Sequence, residues 1–302
     1  MTNLATNFAG LKLKNPVTVG SGTYGFGSEY KRFYNPNILG AITSKGMTLN
    51  EKEGNPPGRS IETPSGMLNC VGLQNPGVEF FAKEHLPKLK EDGCTVFANV
   101  AGKDVDEYVE IVRFLDSTEV DAIEVNLSCP NVAEGGIAFG TDPKVVEEVT
   151  RKTVAVTSKP IIIKLTPNVA DIVSIAQAAQ NGGAHGISLI NTLLGMSIDT
   201  KKRRPVLSNT FGGLSGPAIK PVALRMVYQV YPHIDIPIIG MGGIVNSQDA
   251  LEFIMAGAQM VAVGTGNFVN PLACQEIIEG LEMYLEENDI EDINQLVGIA
   301  HK

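Results

Sequence analysis

The sequence predicts an α/β fold, a (β/α)8 TIM barrel, on three observations. Eight short apolar runs have strand length, helical patterns separate most of them, and no linker divides the 302 residues. With 43% apolar and 19% charged residues, such a chain buries roughly three quarters of its extended surface. That apolar content excludes disorder. A net charge of −9 argues against nucleic-acid or acidic-membrane partners. No apolar run approaches the length of a bilayer span, and Met1-Thr2-Asn3-Leu4 lacks the basic and apolar regions of a signal peptide. The expectation is one soluble, cytoplasmic domain over residues 1–302.

The predicted strands, in order, are Pro16–Val19, Ala41–Ser44, Thr95–Ala98, Ala122–Val125, Pro160–Ile163, Gly186–Ile190, Ile236–Ile239 and Met260–Val263. Their short β-rich runs read as buried on both faces, as parallel strands under helices are. Asp142-Pro143 offers an N-cap with Pro at the first helical position. The helix it starts would bury Val145, Val149, Thr153 and Val156, with i,i+4 pairs from Glu147 to Arg151 and Glu148 to Lys152. Asn168 can cap a helix carrying Ile172, Ile175 and Ala179 that stops at Asn181-Gly182-Gly183, and Ser247 one carrying Leu251 and Ile254 that stops at Gly257. An open doubly wound sheet is the rival fold, but it usually carries a nucleotide fingerprint at its first turn. The connections 46–94, 129–159 and 193–235 are long. They follow strands two, four and six, so part of each should rise over the C-terminal face, where barrel active sites lie.

Polar residues and glycines stand at all eight strand ends: Ser21-Gly22, Lys45, Asn99, Asn126 with Ser128, Lys164, Asn191-Thr192, Gly242-Gly243 and Gly264-Thr265. One such residue signifies only a loop; eight indicate a shared site. Lys164 continues Ile161-Ile162-Ile163 directly, and a lysine deep in a barrel mouth is costly unless it meets an anion or loses its charge. The plainer reading is a lysine snorkelling to the surface, but a barrel strand has no nearby outer surface. Gly242-Gly243 and Gly264-Thr265-Gly266 follow strands seven and eight, where barrels commonly bind phosphate. Structurally, such pairs can be tight turns and no more. Gly240-Met241-Gly242-Gly243-Ile244-Val245 lacks the last glycine of a dinucleotide fingerprint, and no Walker A sequence occurs, so a mononucleotide phosphate fits better.

Cys70, Cys94, Cys129 and Cys274 are scattered, with no CxxC pair, which disfavours a disulfide framework, a zinc site or a local iron–sulfur cluster. A small buried hydrophobe is the ordinary reading of each. Cys129 departs from it, because Asn126-Leu127-Ser128-Cys129-Pro130-Asn131 is polar and runs into the glycines of a loop; a thiol there can titrate and act as base or nucleophile. Asn69, Asn126, Asn131 and Asn191 are individually turn residues. Together they suit a ligand rich in amide and imide groups, such as a pyrimidine ring.

As a set, these motifs resemble the dihydroorotate dehydrogenases. Gly66–Gly77 is similar to that family's substrate loop. Asn126–Asn131, Ile190-Asn191-Thr192, Gly212–Pro217 and Ile239–Gly243 resemble its other site motifs, so the resemblance runs from Leu11 to about Leu281. Ala98–Gly102 and Gly264–Val269 look like the catalytic subunit of the NAD-dependent, two-subunit type. One departure is Thr43-Ser44-Lys45-Gly46, where a β-branched or apolar residue before the lysine and an alanine after it are expected.

The resemblance implies FMN at the barrel mouth and oxidation of dihydroorotate to orotate in pyrimidine biosynthesis. FMN would contact Ser21, Lys45, Gly46, Asn99, Asn126, Lys164, Ile190, Gly216, Gly242, Gly243, Gly264 and Thr265. The pyrimidine would meet Lys45, the loop Asn69, Cys70, Val71, Gly72 and Leu73, then Asn126, Asn131, Asn191 and Thr192. Cys129 would be the base, with Lys45 and Lys164 as the other catalytic residues. It also implies a partner subunit carrying FAD and a [2Fe–2S] cluster, and a homodimer of this chain within a heterotetramer. A fumarate-using one-subunit dihydroorotate dehydrogenase shares almost every motif. A phosphate-binding barrel aldolase or isomerase, and a non-catalytic binding barrel, are readings of other classes.

Overall fold

The computed structural model describes residues 2–128, 130–131 and 137–302, with 130, 131, 137 and 138 described by their backbone alone. Eight parallel strands make one sheet: Val17–Val19, Ile42–Thr43, Val96–Val100, Ala122–Asn126, Ile161–Lys164, Gly186–Leu189, Ile238–Met241 and Met260–Val263. Each coincides with a predicted run to within two residues at either end. Spatial order follows chain order, and the eighth strand returns to pair with the first, Val261 opposite Val17. Between the first and second strands the wall is joined by Gly40 N–H donating to Val17 O at 2.9 Å and by the Thr18 and Thr43 hydroxyls at 3.2 Å. This is the (β/α)8 barrel, and it excludes the open doubly wound sheet, in which the strand order reverses.

Alternate residues divide the strands between two packing environments, as the period of two requires. Ile123, Val125, Ile161 and Ile163 join the layer between sheet and helices. Phe97, Ala122, Ile162, Ile239 and Met260 form a separate cluster within the barrel. Phe8 and Leu13 belong to that inner cluster, because a hairpin pairing Thr6–Phe8 with Leu11–Leu13 plugs the barrel. No apolar run announced this hairpin; its two strands have three residues each, too few for alternation to show.

Three helix details correct the sequence reading. Asp142 does cap the helix Pro143–Val154, accepting from Lys144 N–H at 2.9 Å, and Glu148 pairs with Lys152 at 2.8 Å. Its buried face is Val146, Val149, Thr150 and Thr153, while Val145 and Val156 are half-buried; the stripe starts one residue later than expected, and Val156 lies past the helix end. The cap of Ile172–Asn181 is Asp171, which accepts from the Val173 and Ser174 amides, and not Asn168. The cap of Ser247–Met255 is Asn246, accepting from Asp249 N–H, and Ser247 is the first helical residue. In both helices the true cap lies closer to the first buried apolar residue of the helix or replaces one good capping type by another.

Two of the long connections meet above the barrel. Ser60–Thr63 and Gly66–Asn69 from the first, with Leu193–Met196 and Phe211–Ser215 from the second, form a four-stranded antiparallel sheet. Its central pairing sets Asn69 opposite Gly213, so the loop after Asn69 and the residues after the sixth barrel strand are brought together. In the remaining connection, 129–159, Pro130–Asn131 pairs with Ile137–Ala138.

Candidate active site

One step above the apolar inner layer, the barrel interior becomes polar. Asn99, Glu124, Lys164 and Ser188 come from the third to sixth strands and are all buried. Glu124 is 1% exposed and is held from three sides. Asn99 Nδ2 donates to Oε2 at 2.5 Å, Ser188 Oγ donates to Oε1 at 2.6 Å, and Lys164 Nζ lies 3.8 Å from Oε2. Lys164, 4% exposed, also donates to Ser21 Oγ at 3.1 Å. It therefore does not snorkel.

The demand for an anion near Lys164 was legible, but part of the answer lies within the chain. Glu124 sits in a run of four strand residues that reads as apolar, and it shares the inward parity of Asn126. That parity was the available signal for it.

Asn99 Oδ1 is buried and has no hydrogen-bond partner among the described residues. It faces Gly46, whose absent Cβ would stand 2.8 Å away, with Leu73 Cδ2 3.3 Å on the other side. The departure from the expected motif at 44 and 46 is thus a local packing solution. Ser44 Oγ accepts from Asn99 N–H at 3.0 Å, and Gly46 leaves room for the amide. Lys45 is half-buried, its amide donating to Gly25 O at 3.0 Å. Burial pushes its ammonium below the usual lysine range; Glu29 opposes that shift and Arg59 adds to it. An open pocket of about 470 Å³ adjoins it, lined in part by Phe26, Gln74 and Asn75.

The asparagines line the rim. Asn126, 7% exposed, accepts at Oδ1 from Asn191 Nδ2 at 3.1 Å and from Ser128 N–H at 3.2 Å. Asn69 Nδ2 donates to Gly213 O at 3.4 Å, and Gly213 packs against the Thr192 side chain. Asn168 belongs here: it donates to Thr192 O at 3.1 Å and accepts from Leu194 N–H at 2.9 Å, holding the chain after the sixth strand. The loop from Cys70 to Gly72 is tied to residues 55–59, with Cys70 N–H donating to Arg59 O at 2.7 Å and Asn55 N–H to Val71 O at 3.0 Å. Cys94 and Cys274 are buried, as ordinary structural cysteines are, and burial pushes the Cys274 thiol up to about 12. Cys129, the expected base, lies outside the described residues; Asn131 is described by its backbone only.

The two glycine turns stand side by side on the other half of the rim. Gly243 (φ 82°) approaches Gly216 O and Lys220 so closely that a Cβ would stand 2.7 Å from Lys220 Cβ and 2.9 Å from Gly216 O. Lys220 is itself fixed by Asp249 at 2.6 Å and Glu252 at 3.0 Å. Gly242 abuts Ile190, and Thr265 Oγ1 bonds Ser215 Oγ at 2.8 Å beside Gly216. A Cβ on Gly264 or Gly22 would meet nothing within 4 Å. Two open glycine positions at strand ends, a buried lysine and an amide oxygen unpaired among the described residues fit an anionic, imide-bearing cofactor such as FMN.

A sequence profile of the family "Dihydroorotate dehydrogenase" matches residues 3–285. The "Dihydroorotate dehydrogenase B (NAD(+)), catalytic subunit" of Desulforamulus reducens is 56% identical over 300 residues, covering 99% of each chain. Proteins of the same description from Alkaliphilus metalliredigens and Thermoanaerobacter pseudethanolicus are 54% and 53% identical, each covering 98% of both chains. A barrel whose mouth carries the family's motifs in spatial proximity, and full-length identity above half, lead to one conclusion: the chain belongs to the dihydroorotate dehydrogenase family.

Proposed function

We propose that this chain oxidises dihydroorotate to orotate, a step of pyrimidine biosynthesis, as the FMN-bearing catalytic subunit of an NAD-dependent enzyme, with residues 1–302 acting as one domain. The observation that carries this is the polar layer of Asn99, Glu124 and Lys164 at the barrel mouth, below the asparagine-lined rim. FMN, when bound, supplies the acceptor for the hydride that leaves C6 of the substrate.

The chain's own residues do the rest. Lys164 and Ser21 would hold the ring end of the cofactor, with Asn99 Oδ1 offered as an acceptor, while the turns at Gly216, Gly242–Gly243 and Gly264–Thr265 would hold its phosphate. A lysine cation beside the ring favours the state carrying more negative charge. Asn69, Asn126, Asn131, Asn191 and Thr192 would orient the pyrimidine through amide and hydroxyl pairs. The Cys70–Leu73 loop would close over it. Cys129 would take the proton from C5: a thiol with an ordinary pKa of about 8.5 is a workable base near neutrality.

The partner would be an electron-transfer subunit with FAD and a [2Fe–2S] cluster, and two copies of this chain flanked by two of the partner would make a heterotetramer. The chain has no dinucleotide fingerprint of its own. Acceptor assays test this reading. Purified alone, the chain should turn over dihydroorotate with an artificial dye but form NADH only when the partner is added. Rapid NADH formation by the chain alone contradicts the two-subunit reading, and strong activity with fumarate moves it to the one-subunit type.

A further inference from the structure

Among the buried charged groups, Glu124 has no part in the chemistry above, yet it touches two of the groups that do. Its carboxylate accepts from Ser188 Oγ at 2.6 Å and from Asn99 Nδ2 at 2.5 Å, and it stands 3.8 Å from Lys164 Nζ. We propose that Glu124 is the positioning residue of the flavin site, turning the Asn99 amide and balancing the charge of Lys164.

The amide orientation follows from the chemistry of the contact. A carboxylate oxygen is acceptor-only, so the Asn99 atom facing it at 2.5 Å is the donor, Nδ2. The carbonyl Oδ1 is thereby turned the opposite way, where it is buried and has no partner among the described residues. A buried acceptor left unmade costs about 1–3 kcal/mol, so an N–H of a bound ligand is the natural complement. Glu124 thus converts a two-faced side chain into a fixed acceptor. Ser188, two strands further on, keeps the carboxylate from rotating.

Lys164 is governed by the same group. Among the described residues, its ammonium has two polar neighbours, the neutral Ser21 hydroxyl and Glu124. At 3.8 Å in a dry barrel, Glu124 offsets part of the positive charge Lys164 can offer to a cofactor. The carboxylate therefore sets how strongly the lysine favours a reduced, more negative flavin.

This inference rests on FMN being the cofactor, and its test separates the two. FMN is titrated into apoprotein by fluorescence, and the midpoint potential of the bound flavin is measured for wild type, Glu124→Gln and Ser188→Ala. Glu124→Gln removes the countercharge, so the potential should rise, and the loosened Asn99 should weaken FMN binding by ~10-fold or more, the equivalent of one lost anchor. Ser188→Ala keeps both charges and frees the carboxylate to act on Lys164, so the potential should fall. Should Glu124→Gln fail to fold, the downward shift in Ser188→Ala carries the test alone. A glutamate that merely stabilises the barrel would change the melting temperature and leave both potentials where wild type has them, and that result overturns the inference. Wild-type protein that takes up no FMN overturns the flavin reading and this inference with it.

Discussion

Cys129 and Lys164 divide the chemistry between a proton and a charge, and each assignment has its own test. Cys129→Ala should lose ~10²–10⁴-fold in dihydroorotate oxidation, the usual contribution of a positioned base, while still binding FMN. A thiol must lose its proton before it can accept one, so the wild-type rate should rise with pH up to the thiol's pKa and level off above it. Stopped-flow flavin reduction across that range checks both, and a variant with wild-type rates would clear Cys129 of the role. Lys164→Ala should lower the flavin midpoint potential and slow flavin reduction by about 10²–10³-fold, as loss of a charge-stabilising donor does. Potentiometry of the variant checks it; an unchanged potential would make Lys164 structural. The strand-end residues were legible because polar residues interrupt apolar runs there. Glu124 was not, because a run read as buried on both faces gives no hint that one face is the inside of a barrel. Only the parity it shares with Asn126 across the fourth strand distinguishes it.

At the scale of elements, Asn168 and Asp171 stand three residues apart and do different work. Asp171 caps the helix Ile172–Asn181, whereas Asn168 clamps Thr192 and Leu194. Asp171→Ala should cost about 1 kcal/mol of stability, the value of an N-cap, with KM unchanged. Asn168→Ala should raise the KM for dihydroorotate by about 3–10-fold, the equivalent of a hydrogen bond, with little change in melting temperature. Thermal denaturation and steady-state kinetics on the two variants distinguish them, and the reverse pattern would restore Asn168 as the cap. Helix caps are hard to place from sequence when several capping residues precede the first apolar position. The antiparallel sheet was hidden for another reason. Its central pairing spans more than a hundred residues, Leu68 with Leu214, and each of its strands is too short to declare itself. The direction of the long connections, over the C-terminal face, was nonetheless implied by the strands they follow.

For the whole molecule, the barrel places all eight strand ends on one face, so eight weak local signals become one site. That geometry is why the function was more legible than any single residue's role. Exposed apolar side chains, among them Leu194, Ile198 and Phe211 on the connection 193–235 and Phe268, Val269 and Leu272 after the eighth strand, leave apolar surface on the same molecule. No described helix is long and apolar enough to cross a membrane. The central claim, that this barrel passes electrons from dihydroorotate to its own flavin, needs neither partner nor final acceptor to be tested. Dihydroorotate added anaerobically to the purified holoprotein should bleach the flavin absorbance near ~450 nm, the signature of the oxidised cofactor, with one orotate formed per flavin. A flavin that dithionite reduces but dihydroorotate leaves oxidised would contradict the account.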